Sequence, residues 1–428
     1  MGSGLFLASG AAIHLAGPAV AISFLIGVTI MMIEVSALAE MSAADPERGS
    51  FLAFARHTLG DGSAFVGGWV FWFSSVLNLA AEATAGAIFT RLWFPSVPVY
   101  VFSMGYSIII VGINFLTVKG FSVVESIMSL IKILATLAFI GMGIFIVTHV
   151  IPLRHPTGPK LWFASPSFFP HGISGIAGAM VIVLFSMSGT GVLGLAAANV
   201  RRPERTITKT IRNTVVGIYV LYVGATLSVT ALLRWSQVPT QQSPFTAALA
   251  VLHNVWLVDA MNVIILFAVL STMNAGLFAT DRVLATLGRI HDAPHLVARE
   301  SHGIPRMANA ITGGLLVVVS GLAYFLPKTA YLYLVTATGF QALMVWVLIL
   351  VTQIYFRPHL LKKHQFLRFK VPGFPFVSWI GVALIIGVIA TAPLAPHELV
   401  ALAISLAATA LFIGAYVPVR HHRKGRVR

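Results

Sequence analysis

Two clusters of small and polar residues interrupt apolar runs otherwise suited to membrane helices. One holds Ser186, Ser188, Gly189, Thr190 and Gly191 within the stretch 184–207; the other is Gly2-Ser3-Gly4 at the start of the chain. A glycine costs a helix interior about 1 kcal/mol, and Ser and Thr hydroxyls compete locally for backbone partners. In hydrocarbon every freed N–H and C=O needs a partner, so a broken helix is tolerated only where it is buried in protein or lines a cavity. The half-helix that begins at a break presents N–H groups and the positive end of its dipole; the half that ends there presents carbonyls. Such a pair suits a zwitterion, with carboxylate on N–H groups and ammonium on carbonyls. The alternative for either cluster alone is close helix packing, which small residues also allow. Two clusters in corresponding positions of two halves favour a solute site between them.

Charged and amide residues within the apolar runs are the next candidates. Lys132 stands about ten residues into its run. An ionisable residue at that depth is a functional candidate by default, able to take and release a proton near physiological pH; the alternative is an ammonium reaching back to the membrane surface. Glu82 lies mid-run, either lining a solute path or accepting from a neighbouring backbone, and Ser271 and Asn274 share a further run in which either faces a cavity or packs between helices. Glu40 reads as a cap or a partner of loop arginines, and Glu34 as one half of a buried pair. Asp281-Arg282 and Glu204-Arg205 read as cytoplasmic ion pairs or gate elements, His14 as structural, and Trp69, Phe71 and Trp72 as packing residues or interfacial anchors.

The elements that must position these groups are apolar runs of spanning length, at 17–41, 64–94, 98–117, 123–150, 173–199, 210–233, 254–288, 308–326, 329–355, 374–393 and 397–419. A shorter run, Leu5 to Leu15, covers roughly 16 Å, half of a ~30 Å hydrocarbon core. The expectation is therefore an all-α polytopic membrane protein with eleven full helices plus the second half of a broken first helix, and with a preceding segment that this sequence does not contain. Counted as twelve spans, the loops after even-numbered spans hold 22 of the 28 Lys and Arg residues, and those after odd-numbered spans hold five. That asymmetry predicts a multi-pass protein of the cell membrane with even loops and C-terminus in the cytoplasm. The same distribution accounts for the net charge of +15 without nucleic acid. With 57% hydrophobic and 10% charged residues, against about 25% charged in an ordinary soluble domain, little mass lies outside the bilayer. Residues 1–419 form one transmembrane domain, read as a first repeat at 1–150, a second at 173–357 and two extra helices at 374–419. A disordered basic tail at 420–428 follows. There is no cysteine, which excludes disulfides and thiolate chemistry. No P-loop, G-x-S-x-G or H-E-x-x-H motif occurs, which removes ATP-driven transport within this chain and the commoner hydrolases; no cofactor or metal is implied.

The chain resembles an amino acid permease of the amino acid–polyamine–organocation superfamily, in its bacterial amino acid transporter branch. The stretches that carry the resemblance are G-S-G-L-F-L-A-S-G-A-A-I and A-G-P-A within 2–19, A-L-A-E-M-S-A-A-D-P-E-R-G-S-F at 37–51, G-G-W-V-F-W-F at 67–73 and W-F-P-S-V-P at 93–98. To these are added I-N-F-L-T-V-K-G-F at 113–121, S-L-I-K at 129–132, S-T-M-N-A-G-L-F-A-T-D-R at 271–282 and H-G-I-P-R at 302–306. The resemblance implies a LeuT-type five-plus-five inverted repeat in which helices one and six are broken. It implies that Ser3 and Gly4 hold the carboxylate of an amino acid and that Phe185 and Ser188 offer carbonyls to its amine, beside Gly189 and Thr190. It implies that Lys132 stands where sodium-coupled relatives bind a cation, with Ser271 as its partner on helix eight, which favours proton-coupled uptake.

The sequence departs from the family pattern in three places. Gly191 replaces a common glutamate, Asn199 another acidic residue, and Ser36 an arginine. The first two shift the weight of coupling to Lys132 and lean the substrate towards neutral or aromatic amino acids. The expected function is secondary-active, proton-coupled amino acid transport by alternating access. The rivals are an amino acid/polyamine exchanger and a transport-inactive, sensor-like relative; a membrane enzyme would need a catalytic cluster that the sequence does not contain.

Overall fold

A computed structural model of the chain describes all residues except 46–49, 117–120, 149–157, 159–160, 163–167, 191–202, 302, 328, 363–368, 395–397 and 427–428. The described residues are helical throughout apart from turns and one isolated bridge, Ser301 with Ile304. Nine helical runs among them are long and apolar enough to cross a membrane, and two shorter apolar helices, Gly172–Phe185 and Phe376–Ala390, stand where spans six and eleven are predicted.

The chain starts with a π-helical turn, Gly4–Ala8, that runs into α1, Ser9–Ala16. Gly17 turns the chain at φ 65°, and a Cβ there would meet Pro170 at 2.5 Å. The half-span thus leads through one glycine turn into α2, Val20–Ala44. A short α3, Phe51–Leu59, is capped by the Ser50 hydroxyl, which accepts from the Leu52 N–H at 3.2 Å. Then come α4 (Asp61–Thr90), α5 (Val99–Leu116), α6 (Phe121–Val147) and α7 (Gly172–Phe185). Span seven is α8 (Pro203–Ile218), a π turn at Tyr219–Val223 and α9 (Gly224–Leu232). The remainder is α10 (Pro244–Ala250), α11 (Val255–Arg289), α12 (Arg306–Ser320), α13 (Leu322–Phe325), α14 (Ala330–Lys362), α15 (Phe376–Ala390) and α16 (Glu398–Arg426). The basic tail is predicted to be disordered; instead α16 carries its helix through to Arg426. Propagation adds one hydrogen bond per residue once a helix exists, and Lys and Arg are good helix formers.

The core forms around α4, which packs against α5, α11, α14, α12 and α16. Helices α1 and α2 lie against α7, and α6 lies against α9 and α11. Two sets of contacts define the ends. On one face, called basic here for its Lys and Arg, Arg56 pairs with Asp61 at 3.3 Å and with the buried Asp292. There too Glu40 joins α2 to α14 and to the segment before α15: it accepts from Arg357 (3.2 Å), Gln353 (3.2 Å) and the Val371 N–H (2.5 Å). Arg357 is one of the arginines counted in the even loops, so the pairing expected of Glu40 is present. On the opposite face Trp93 donates to Asp259 at 2.9 Å, and His14 stands 2.6 Å from the Val238 carbonyl. His14 is structural, as its position predicts. Trp69 and Trp72 are packing residues whose indole N–H groups donate to the Asp292 carbonyl (3.1 Å) and the Thr312 hydroxyl (3.2 Å).

Two expectations are corrected. Glu34 is fully buried and neither carboxylate oxygen has a hydrogen-bond partner among the described residues, so the expected buried pair is absent. Asp281 and Arg282 form no ion pair among the described residues: Asp281 is buried, while Arg282 turns over the Phe278 ring at 4.3 Å. Adjacent helix residues point about 100° apart, so they do not face each other. The side chains of Glu204 and Arg205 lie outside the described residues.

Candidate functional site

The start of the first helix, at Gly2-Ser3-Gly4, meets the end of α7. Helix α7 ends at Phe185, and a 3-10 turn at Ser188–Thr190 follows. The glycine and serine cluster ends the helix where the sequence predicts. A Cβ on Gly4 would stand 2.6 Å from the Ser186 Cα and Cβ and 3.4 Å from the Phe185 ring, so only glycine permits this approach. At Gly2 a Cβ would fall 2.5 Å from a Glu82 carboxylate oxygen, so a larger residue there would push the end of the Glu82 side chain aside.

Polar groups freed at the breaks are taken up by neighbouring helices. The Ser3 N–H donates to both oxygens of Glu82, at 2.9 and 3.1 Å, and Glu82 comes from the middle of α4. The Ser3 carbonyl accepts from the Tyr331 hydroxyl of α14 at 3.0 Å. Across the site, the Ser186 carbonyl accepts from the Tyr222 hydroxyl at 3.2 Å. The Ser3 hydroxyl is fully buried with no partner among the described residues.

A cavity of about 530 Å³ opens beside this junction. From the breaks it is lined by Gly4, Phe185, Ser188 and Gly189; from α4 and α6 it takes Glu82, Glu125 and Lys132. It extends along α4, α11 and α14 towards the basic face. The other direction is closed by the Tyr331–Ser3 bond and by a run of rings, Phe6 on Phe245 at 5.2 Å and Phe245 on Phe139 at 4.7 Å. Beyond that seal lies a second cavity of about 370 Å³, with Thr84, Arg91, Asn262 and Tyr331 in its walls.

Lys132 does not reach the membrane surface. It is buried, and its ammonium donates to the hydroxyls of Ser271 (3.1 Å) and Thr272 (3.2 Å) of α11, with Glu125 at 3.7 Å. Asn274 is placed otherwise: its carbonyl oxygen accepts from Asn114 of α5 at 2.7 Å, and it is turned to that helix rather than to the cavity. The backbone of Thr190 closes the described part of the second break. Its side chain, together with Gly191 and Asn199, lies outside the described residues.

Sequence reasoning missed Glu125, Tyr222 and Tyr331. For Glu125 a signal exists: it precedes Lys132 by seven residues, two helical turns, which sets both on one face of α6. The tyrosines carry no such signal, because their partners are carbonyls distant in sequence.

A family profile described as amino acid permease matches residues 1–420. The chain belongs to the amino acid permease family. A γ-aminobutyric acid permease of Bacillus subtilis is 34% identical over 391 residues, 91% of this chain and 83% of the relative. The amino-acid permease RocC of the same organism is 32% identical over 394 residues, 90% of this chain and 83% of the relative. An L-asparagine permease of Salmonella typhimurium is 31% identical over 395 residues, covering 91% and 79%. The chain is therefore a multi-pass membrane transporter of amino acids, not an enzyme.

Proposed function

We propose that this permease is secondary-active, takes up a zwitterionic amino acid together with a proton, and works by alternating access across the cell membrane with its C-terminus in the cytoplasm. The observation that carries this reading is the bond from the Ser3 N–H to the Glu82 carboxylate. A helix start near mid-membrane suits a carboxylate, and here a carboxylate of the protein already occupies it. An incoming substrate carboxylate competes for the same N–H. Once displaced, Glu82 is an anion without its donor in a low-dielectric site. That cost is relieved by taking one proton to become the neutral acid. Substrate binding and proton uptake are thereby linked, one proton per carboxylate displaced.

Lys132 supports the same reading as a proton-carrying group in the cavity that Glu82 and Glu125 also line. Gly4, Ser188 and Gly189 leave room for the backbone of an amino acid, and the Phe185 ring packs against Gly4 at the junction of the breaks. Relatives named for γ-aminobutyric acid and L-asparagine favour a solute that pairs a carboxylate with an amine. A cavity of this volume falls within the ~300–1,000 Å³ of small-molecule sites. The seal at Tyr331, with a cavity on each side of it, supports an arrangement closed to the outside and continuous towards the basic, cytoplasmic face. The breaks at Gly4 and Ser186 sit at corresponding points of repeats 1–150 and 173–357, which supports the five-plus-five organisation.

The test is uptake of labelled neutral amino acids by proteoliposomes with and without an inward proton gradient, for the wild type and Glu82→Gln. Wild-type uptake rises with the gradient; the amide variant binds and exchanges substrate without responding to it. A gradient response retained by Glu82→Gln removes Glu82 from the coupling.

A further inference from the structure

The geometry points to Glu125 as the group that releases the transported proton on the basic side, reached from Lys132 through the Ser271 hydroxyl. The inference rests on the proton-coupled reading above and adds the exit route. The Lys132 ammonium donates to Ser271 Oγ at 3.1 Å, and Ser271 Oγ donates in turn to Glu125 Oε2 at 2.6 Å. A hydroxyl is donor and acceptor at once, so the three groups form a wire with one direction. Thr272 offers the contrast: it too accepts from Lys132, at 3.2 Å, but its own proton goes to the carbonyls of Met1 (3.1 Å) or Ala268 (2.9 Å). Those oxygens cannot carry a proton onward, so the threonine branch is a dead end.

The two ends of the wire differ in their access to water. The Lys132 side chain is 5% exposed and that of Glu125 is 27% exposed. Glu125 stands at the basic-face end of α6, two turns before Lys132, and both line the same cavity.

The step balances. An Nζ–H bond of Lys132 breaks as an O–H bond forms on Ser271 Oγ, while the original Oγ–H proton passes to Glu125 Oε2. Ser271 is unchanged, Lys132 is left as the neutral amine and Glu125 as the neutral acid. An ion pair becomes two neutral groups, and the net charge of the site is unchanged by the transfer. Water in the cavity then takes the proton from Glu125, restoring its carboxylate, and the lysine amine is free to accept the next proton from the Glu82 side.

The experiment uses the full chain in proteoliposomes loaded with a pH-sensitive dye, recording labelled amino acid uptake and internal acidification together. The same preparations are assayed for substrate exchange, which needs no net proton release. For Glu125→Gln and Ser271→Ala, net uptake and acidification fall at least tenfold more than exchange does, and the pH profile of net uptake flattens; Ser271→Thr restores both. Equal losses of uptake and exchange, unimpaired net uptake, or no rescue by Ser271→Thr overturn the wire alone. A wild type that accumulates amino acid without acidification overturns the coupling reading and the wire with it.

Discussion

Gly4→Ala tests the meeting of the two breaks. The added Cβ would lie 2.6 Å from the Ser186 Cα and Cβ, roughly 1 Å inside the ~3.5–4.0 Å of favourable carbon–carbon contact. The obstructing atoms include backbone, so no rotamer change relieves the clash, and one broken segment must shift. Overpacking of this kind costs about 1–3 kcal/mol, a factor of about 5–150 in the population of the aligned site. A displacement of about 1 Å also moves the groups expected to hold the substrate, for which rate losses of about 100-fold are typical. The matched control is Gly178→Ala in α7, where no atom lies within 4 Å of the added carbon. There the change is neutral or stabilises by about 0.5–1 kcal/mol. Substrate affinity is measured by the ligand-induced rise in thermal stability of the detergent-purified protein, and transport by initial uptake rates. Gly4→Ala loses at least tenfold in affinity while Gly178→Ala matches the wild type. Wild-type affinity and uptake in Gly4→Ala would mean that the breaks do not meet as described.

Three further outcomes follow from other contacts. Lys132→Ala abolishes the pH dependence of uptake, measured as initial rate against external pH; an unchanged profile removes Lys132 from the mechanism. Tyr331→Phe deletes the hydroxyl that donates to the Ser3 carbonyl at 3.0 Å, a loss of about 0.5–1.5 kcal/mol from the outer seal. Because the chain has no cysteine, a single cysteine at Asn78, in the wall of the larger cavity on the inner side of the seal, then reacts severalfold faster with a thiol reagent added outside, and an unaltered rate refutes the seal. Arg357→Met strips the guanidinium from the buried Glu40 and lowers stability on the order of 3 kcal/mol, read as a fall in melting temperature. Adding Glu40→Gln recovers most of that loss, and additive losses in the double variant would show that the two residues do not interact.

The end of α7 was legible because its signal is local: serines and glycines clustered at Ser186–Gly189 weaken a helix there. Lys132 was legible for a similar reason, since a charge at that depth demands partners, and Ser271 is one of them. What the sequence could not show was who those partners are when they come from elsewhere in the chain. Glu82 and Ser3 are 79 residues apart, and Glu40 and Arg357 are separated by 317. Glu125 escaped notice because a carboxylate at the start of a span ordinarily faces water; only its two-turn spacing from Lys132 marks it. Asn274 stayed open between cavity and packing because an amide in a span satisfies itself as well on Asn114 as on a solute. The tail misled because composition alone does not reveal that a helix arriving at Arg420 continues.

In the proposed cycle the Glu82 carboxylate holds the Ser3 N–H until substrate and proton arrive together. Parallel measurement of labelled neutral amino acid uptake and internal acidification in proteoliposomes, for wild type and Glu82→Gln, tests it directly. The wild type accumulates amino acid against a gradient with internal acidification, and the variant exchanges without either. Gradient-driven accumulation by Glu82→Gln at the wild-type rate would contradict it.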